Sequence, residues 1–146
     1  MGGTVVGVTA LASDADATTN TITYTLDDNA DGRFAINSST GVVTVADGTL
    51  LDREAAASHD ITVRATSSDG SFDTAVMTVN LNDVDEFDVG AVTDIDGTGN
   101  AVDENAANGT VVGVTALASD ADATNNTITY SLDDNAGGRF AINSST

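Results

Sequence analysis

Cysteine is absent from the chain, and so are proline, tryptophan and lysine. Without cysteine there can be neither a disulfide framework nor a thiolate metal site. The aromatic residues are only Phe34, Phe72, Phe87, Phe140, Tyr24 and Tyr130, so any core must be built from Val, Ala, Ile and Leu. No run approaches the roughly 18 apolar residues of a membrane span. Positive charge is nearly missing: Arg33, Arg53, Arg64 and Arg139 stand against 23 acidic residues, for a net charge of −19. Such a chain is repelled by nucleic-acid phosphate and by an anionic membrane surface. Neither nucleic-acid binding nor membrane insertion is therefore expected. The carboxylates are either a solvated, non-sticking surface or ligands for a cation, and their placement decides between the two.

What the chain does have is a repeat. Residues 3–40 and 109–146 are identical apart from Thr19/Asn125, Thr25/Ser131 and Asp31/Gly137, which is three differences in 38 positions at a spacing of 106. A period of that length is a whole domain rather than a solenoid turn, so the chain reads as a slice of a tandem array. The expected division is a repeat lacking its first strand over 3–86 and the N-terminal part of the next repeat over 87–146.

Strand signals dominate. Residues 21–26 alternate strictly, with Ile22, Tyr24 and Leu26 on one face. Val6/Val8/Ala10, Phe34/Ile36, Val43/Val45, Ile61/Val63/Ala65 and Ala75/Met77/Val79/Leu81 alternate likewise. Asp-Gly and Asn-Gly pairs at 31–32, 47–48, 69–70, 96–97 and 108–109 punctuate these runs. Short β-branched strands at even spacing indicate an all-β antiparallel sandwich of about seven strands per repeat. Lettered in order, A lies in 87–104, B in 109–117 and 3–11, C in 127–132 and 21–26, and D in 139–143 and 33–37. E is expected at 42–46, F at 59–66 and G at 73–82. Residues 53–57 are the only helix-like stretch, too short for more than one turn.

Carboxylates gather in distinctive contexts. Glu54 closes Leu51-Asp52-Arg53-Glu54, Glu86 closes Asp83-Val84-Asp85-Glu86, and Glu104 sits in Val102-Asp103-Glu104-Asn105. Asp14/Asp16 and Asp120/Asp122 form Asp-x-Asp pairs after strand B, and Asp69-Gly70 follows strand F. In this order the motifs resemble those of the cadherin repeat family. Val102–Asn105 followed by Gly109-Thr110 resembles its x-E-N motif, and Asp120-Ala121-Asp122 its D-x-D motif. Phe34-Ala35-Ile36-Asn37 with Thr40-Gly41-Val42-Val43 resembles its F-x-I-D/N…T-G-x-I segment. Leu51–Glu54 matches its L-D-R-E motif. Asp69-Gly70 resembles its A-x-D-x-G motif with one extra Ser, and 83–86 stands where the family has a D-x-N-D-N linker. The near-identical repeats and the missing lysine look like cadherin-like domains of large bacterial surface or secreted adhesins. The second Asn and the Pro of the family linker are missing here.

The resemblance implies a seven-stranded Greek-key β-sandwich, an extracellular or cell-surface location, and Ca²⁺ as the bound ion. Ca²⁺ takes 6–8 hard oxygen ligands, more than one short loop supplies. The resemblance assigns Asp52, Glu54, Asp83 and Asp85 at the end of one repeat, with Asp120 and Asp122 from the next. It assigns Asp14, Asp16 and Asp69 to an upstream junction, and Glu104 to a further copy of Leu-Asp-Arg-Glu. Against this, a lone loop Asp is often only a turn former. Residues 94–105 superficially resemble an EF-hand loop, but position twelve is Asn105 and no helices flank it, so it reads as a turn. Residues 27–29 read as a hairpin turn.

No catalytic apparatus is visible. His59 is the only histidine and has no nucleophile signature beside it, and nothing forms a sugar cleft between paired carboxylates. The chain is therefore read as non-enzymatic. The first functional reading is a calcium-stiffened spacer whose partners are neighbouring repeats of the parent protein. The alternatives are a carbohydrate-binding module taking a polysaccharide, and homophilic adhesion. Tyr24, Tyr130, Phe34 and Phe140 fall on apolar strand faces, which leaves only Phe72 and Phe87 for exposure. The near-identity of 109–146 and 3–40 also predicts self-association by strand exchange, with 41–146 completing one sandwich.

Overall fold

Alternating β-branched residues separated by Asx and Gly turns should give short antiparallel strands, and residues 3–146, described by a computed structural model, do so most fully in their first half. The chain divides into two compact units, Met1–Asn82 and Asp83–Thr146, so residues 83–86 belong to the second. Among the described residues, the first unit contains six strands: β1 (Val5–Thr9), β2 (Ile22–Asp28), β3 (Phe34–Ile36), β4 (Val42–Val45), β5 (Ser58–Ser67) and β6 (Phe72–Asn80). They form two three-stranded sheets in the orders β1-β4-β3 and β2-β5-β6, and every pairing is antiparallel. The helical stretch is a 3₁₀ turn at Gly48–Leu50, capped by the Asp47 carboxylate. Residues 53–57 contribute one turn closed by the Ala56 N–H on the Asp52 carbonyl. No helix of the described residues is long and apolar enough to cross a membrane.

Register places the alternating residues between the sheets. Tyr24 faces Ala65 and Leu26 faces Val63 across β2 and β5, while Phe34 faces Val45 across β3 and β4. Tyr24, Phe34, Val43, Ile61, Val63 and Val79 are buried with Ala10 in one core. The Tyr24 hydroxyl is satisfied there by the Ala12 N–H at 3.1 Å. Between Val5 and Thr9, β1 advances four residues while β4 moves two, from Thr44 to Val42. Gly7, at φ +79°, sits inside that bulge, where an L-residue would be strained. Residues 27–28 end β2 rather than forming the expected turn; the turn follows at 30–33, with Asp28 accepting from the Ala30 N–H. It is not the expected hairpin: β2 and β3 lie in different sheets, so the turn carries the chain between layers.

The second unit departs from the expectation. Its only strands are β7 (Thr93–Asp94) and β8 (Ala116–Leu117), paired antiparallel. Two flanking bonds lengthen this ladder, from the Gly90 N–H to the Ser119 carbonyl and from the Ile95 N–H to the Thr115 carbonyl. Most of the expected strand A, the first part of B, and all of C at 127–132 and D at 139–143 are not strands. The reason lies in the first unit: β2 is hydrogen-bonded to β5, and β3 to β4, while this sequence contains no second copy of 41–82. Alternation without a ladder partner does not make a strand. Phe140, expected in a core, is accordingly 43% exposed, whereas its copy Phe34 is 2% exposed. The EF-hand-like segment starts inside β7, where Asp94 pairs with Ala116; beyond it the chain bends, with Asp94 and Asp96 each accepting a backbone N–H two residues on.

Candidate metal sites

The Asp-x-Asp pair after β1 is shaped by its own backbone. Asp14 accepts the Asp16 N–H at 3.0 Å, and the Asn20 amide holds the Asp16 carbonyl at 2.8 Å. From the far side of the sandwich end, Ser67 closes β5 and is 6% exposed. Its hydroxyl donates to the second oxygen of Asp14 at 2.5 Å. Asp69, in the turn that follows, accepts from the Ser71 N–H and hydroxyl at 2.7 Å each. The Ser71 bonds hold its carboxyl below the usual range. Asp14, Asp16 and Asp69 thereby present carboxylate oxygens within 4.8 Å of one another. Three carboxylates so close repel unless a cation lies among them. An all-oxygen donor set of this charge suits Ca²⁺ better than a soft metal.

The second unit repeats the local geometry. Asp120 accepts the Asp122 N–H at 3.2 Å, and the Asn126 amide holds the Asp122 carbonyl at 2.8 Å. Asp122 is 3% exposed. One of its oxygens accepts the Glu86 and Phe87 N–H groups at 3.3 Å; the other has no hydrogen-bond partner. A buried carboxylate oxygen without a donor is costly, and a cation would satisfy it. Asp85 lies against Asp122: their side-chain contact first, then the Asp122 charge, burial, Asp120 and Asp88 push the Asp85 carboxyl up. Asp83 accepts from the Thr124 N–H at 2.9 Å and from its hydroxyl.

The other candidates stand as follows. Asp52 is exposed and caps the turn at 53–55 through the Ala55 N–H at 2.9 Å. Glu54 is half-buried in the same turn of the first unit. Glu104 is exposed in a turn and joins no metal-sized group among the described residues. Ser67, Ser71 and Thr124, which position the carboxylates, were not anticipated. Ser67 and Ser71 flank Asp69 at two residues on either side, a spacing that points to them only once Asp69 is suspected. His59 is half-buried with its ring 6.3 Å from that of Phe34, a packing role.

Residues 1–82 match the sequence profile of the cadherin domain. The chain is 40% identical over 140 residues to human (Homo sapiens) protocadherin Fat 1, a match that covers 90% of this chain and 3% of that protein. It is 38% identical over 88 residues to cadherin-7 of Gallus gallus, covering 56% of this chain and 11% of that one. Among solved structures, mouse cadherin-23 EC22-24 superposes with a TM-score of 0.75 at 29% identity, over 100% of this chain and 46% of that one. The extracellular cadherin domains 3-6 of protocadherin gamma B2, at 22% identity, share the fold with a TM-score of 0.78 over 99% of this chain and 37% of theirs.

Proposed function

The chain belongs to the cadherin domain family, and we propose that it is a calcium-binding repeat that stiffens a long extracellular adhesion protein. The observation that carries this reading is the Asp14, Asp16 and Asp69 group, three carboxylates within 4.8 Å held in place by Ser67 and Ser71. Ca²⁺ would supply the positive charge that lets these groups stay ionised side by side. The chain's own residues supply the rest. Ser67 orients one Asp14 oxygen, the Asp16 N–H orients the other, and the turn at 67–71 presents Asp69. The partner-less oxygen of Asp122 supports a second binding centre. Its ligands would include Asp120 and Asp85, with Asp83, Asp52 and Glu54 assigned by motif order. Glu104 would act with a further Leu-Asp-Arg-Glu copy.

The division of the protein into repeats, at 3–86 and 87–146, belongs to the same proposal. Its cell-surface location and its neighbouring-repeat partners follow from the family reading. A polysaccharide-binding role draws less support: Tyr24 and Phe34 are core residues, and Phe72 lies under the Arg64 guanidinium at 4.0 Å. The bacterial-adhesin reading rests on the near-identical repeats and the missing lysine alone; the relatives named above are animal proteins.

A thermal melt followed with and without Ca²⁺ tests the proposal. At about 100 times Kd, Ca²⁺ should add roughly 2.7 kcal/mol to the unit it binds, a rise of several degrees. Mg²⁺ should not match it, because it demands tighter octahedral geometry. Asp69→Asn should remove the gain of the first centre, and Asp122→Asn that of the second. A melt indifferent to excess chelator sinks the reading.

A further inference from the structure

The chain holds twelve asparagines, and Asn108-Gly109 is the one Asn-Gly pair among them. The pair forms the corner of a turn at 107–110. The Thr110 N–H donates to the Ala107 carbonyl at 3.1 Å, and the Thr110 hydroxyl donates to the same carbonyl at 2.8 Å. Gly109 stands at φ +88°, a left-handed value that such a turn asks of its third residue and that glycine adopts without strain. Asn108 is exposed, and apart from the chain neighbours nothing lies within 4 Å of where a side chain at Gly109 would stand. Among the described residues, neither the Asn108 side chain nor the Gly109 N–H has a hydrogen-bond partner.

Most of the other asparagines are held. The side-chain oxygens of Asn29, Asn37, Asn135 and Asn143 accept backbone N–H groups two or three residues on. The amides of Asn20 and Asn126 donate to the Asp16 and Asp122 carbonyls. After Asn80 and Asn105 the next N–H is already used: that of Leu81 on the Ala57 carbonyl at 2.9 Å, and that of Ala106 on the Asp103 carbonyl at 3.2 Å. The Asp-Gly pairs differ as well. Hydroxyl hydrogen bonds from Thr49, Ser71 and Thr98 come first in holding the Asp47, Asp69 and Asp96 carboxyls below their ordinary value, and an ionised carboxylate is a poor electrophile. The Gly32 N–H, next to Asp31, is engaged by Asn29 at 2.9 Å.

We infer that Asn108-Gly109 is a site of spontaneous deamidation, where the chain modifies itself with water as the co-reactant. Hydroxide takes the proton of the Gly109 N–H, and the nitrogen attacks the Asn108 Cγ. The N–Cγ bond forms, the Cγ–Nδ2 bond breaks, and ammonia leaves with a proton returned by water. The product is a cyclic succinimide. Water then opens the ring at either carbonyl. Addition at Cγ leaves an ordinary aspartate; addition at the main-chain carbonyl leaves isoaspartate, whose main chain runs through Cγ. Either product adds negative charge to a chain already at −19. Isoaspartate also lengthens the main chain by a methylene just ahead of residues 111–117. In the first unit the matching stretch contains β1, and the Thr4 carbonyl opens its ladder by accepting the Val45 N–H at 2.8 Å. The modified residue therefore stands where a strand of the sandwich is entered. This inference is independent of the calcium reading, since no carboxylate assigned to the ion takes part in closing the ring.

The full chain, incubated at mildly alkaline pH and sampled over time, tests this by peptide mapping. Cleavage after arginine releases residues 65–139, and electron-transfer fragmentation tells isoaspartate from aspartate. Residue 108 should convert before any other asparagine, with isoaspartate in excess and heavy oxygen taken up from labelled water. Hydroxylamine, which attacks succinimides, should cut the incubated chain between 108 and 109 and nowhere else. Asn108→Gln should lose that cut, because the longer side chain closes its ring far more slowly. The same incubation in urea isolates the contribution of the fold. There Asn37 and Asn143, each followed by serine, are released from their hydrogen bonds and should convert alongside residue 108. An amide retained at 108 while other positions convert overturns the inference. So does a folded chain that converts the same set of asparagines as the chain in urea.

Discussion

Two of the three differences between 3–40 and 109–146 fall where the backbone is left-handed. Thr19 has φ 55° and its counterpart Asn125 57°; Asp31 has φ 55° and Gly137 69°. Left-handed backbone is costly for a β-branched residue and tolerated by Asn and Gly. Thr19→Asn should therefore stabilise the first unit by about 0.5–1 kcal/mol, seen as a higher Tm with the Ca²⁺ response unchanged. A lower Tm would contradict the strain argument. At the same scale, Arg64 holds Asp27 through two nitrogens, at 2.8 and 2.5 Å. The Arg64 hydrogen bonds come first in holding the Asp27 carboxyl below its ordinary value. A depressed carboxyl contributes stability above the unfolded value of about 3.9 and loses it as pH falls through the folded value. Asp27→Asn should flatten the acid limb of the Tm profile below about pH 4. The pair is at the surface, so the change near neutrality is small. An unaltered acid limb would show that Asp27 carries none of it.

Turns and strands behave differently in the two copies. Tyr130 accepts the Ala118 N–H at 3.2 Å as Tyr24 accepts that of Ala12. Asn143 bonds the Ser145 N–H as Asn37 bonds that of Ser39. These contacts span a few residues and recur wherever the sequence recurs. β2 and β3 do not recur, since each needs a distant strand beside it. β5 is the element on which the β2-β5-β6 sheet depends, because it pairs with both neighbours. Ile61, at its centre, is fully buried. Ile61→Ala should cost about 2–5 kcal/mol of the first unit's stability, measured by denaturant titration. A cost below about 1 kcal/mol would mean that the core described here does not hold the sheets together.

For the whole molecule the governing quantity is charge. With −19 over 146 residues, self-repulsion opposes the compact state, and the carboxylate groups described above concentrate it. The Ca²⁺ stabilisation should therefore shrink as sodium chloride rises, since screening relieves part of the same repulsion. A gain independent of salt would point to an ion held without net charge relief. The chain spans 3% of the length of human protocadherin Fat 1.

Strand positions in the first unit, the bends that follow Asp94 and the suspicion of Asp14, Asp16 and Asp69 were legible in the sequence by itself. Each rests on period-two alternation, on Asx and Gly chemistry, or on short motif spacing, and all of these act within a few residues. The tertiary structure alone decided that 127–132 and 139–143 form no strand, that Phe140 is exposed while Phe34 is buried, and that 27–28 extend β2 while the turn at 30–33 leads to the other sheet. It alone revealed Ser67 as the residue that fixes Asp14 from 53 positions away. A strand's side chains are written in its own sequence, but its hydrogen bonds are made by another segment, and burial depends on what lies across the core. The same residues therefore read alike in both copies and fold differently.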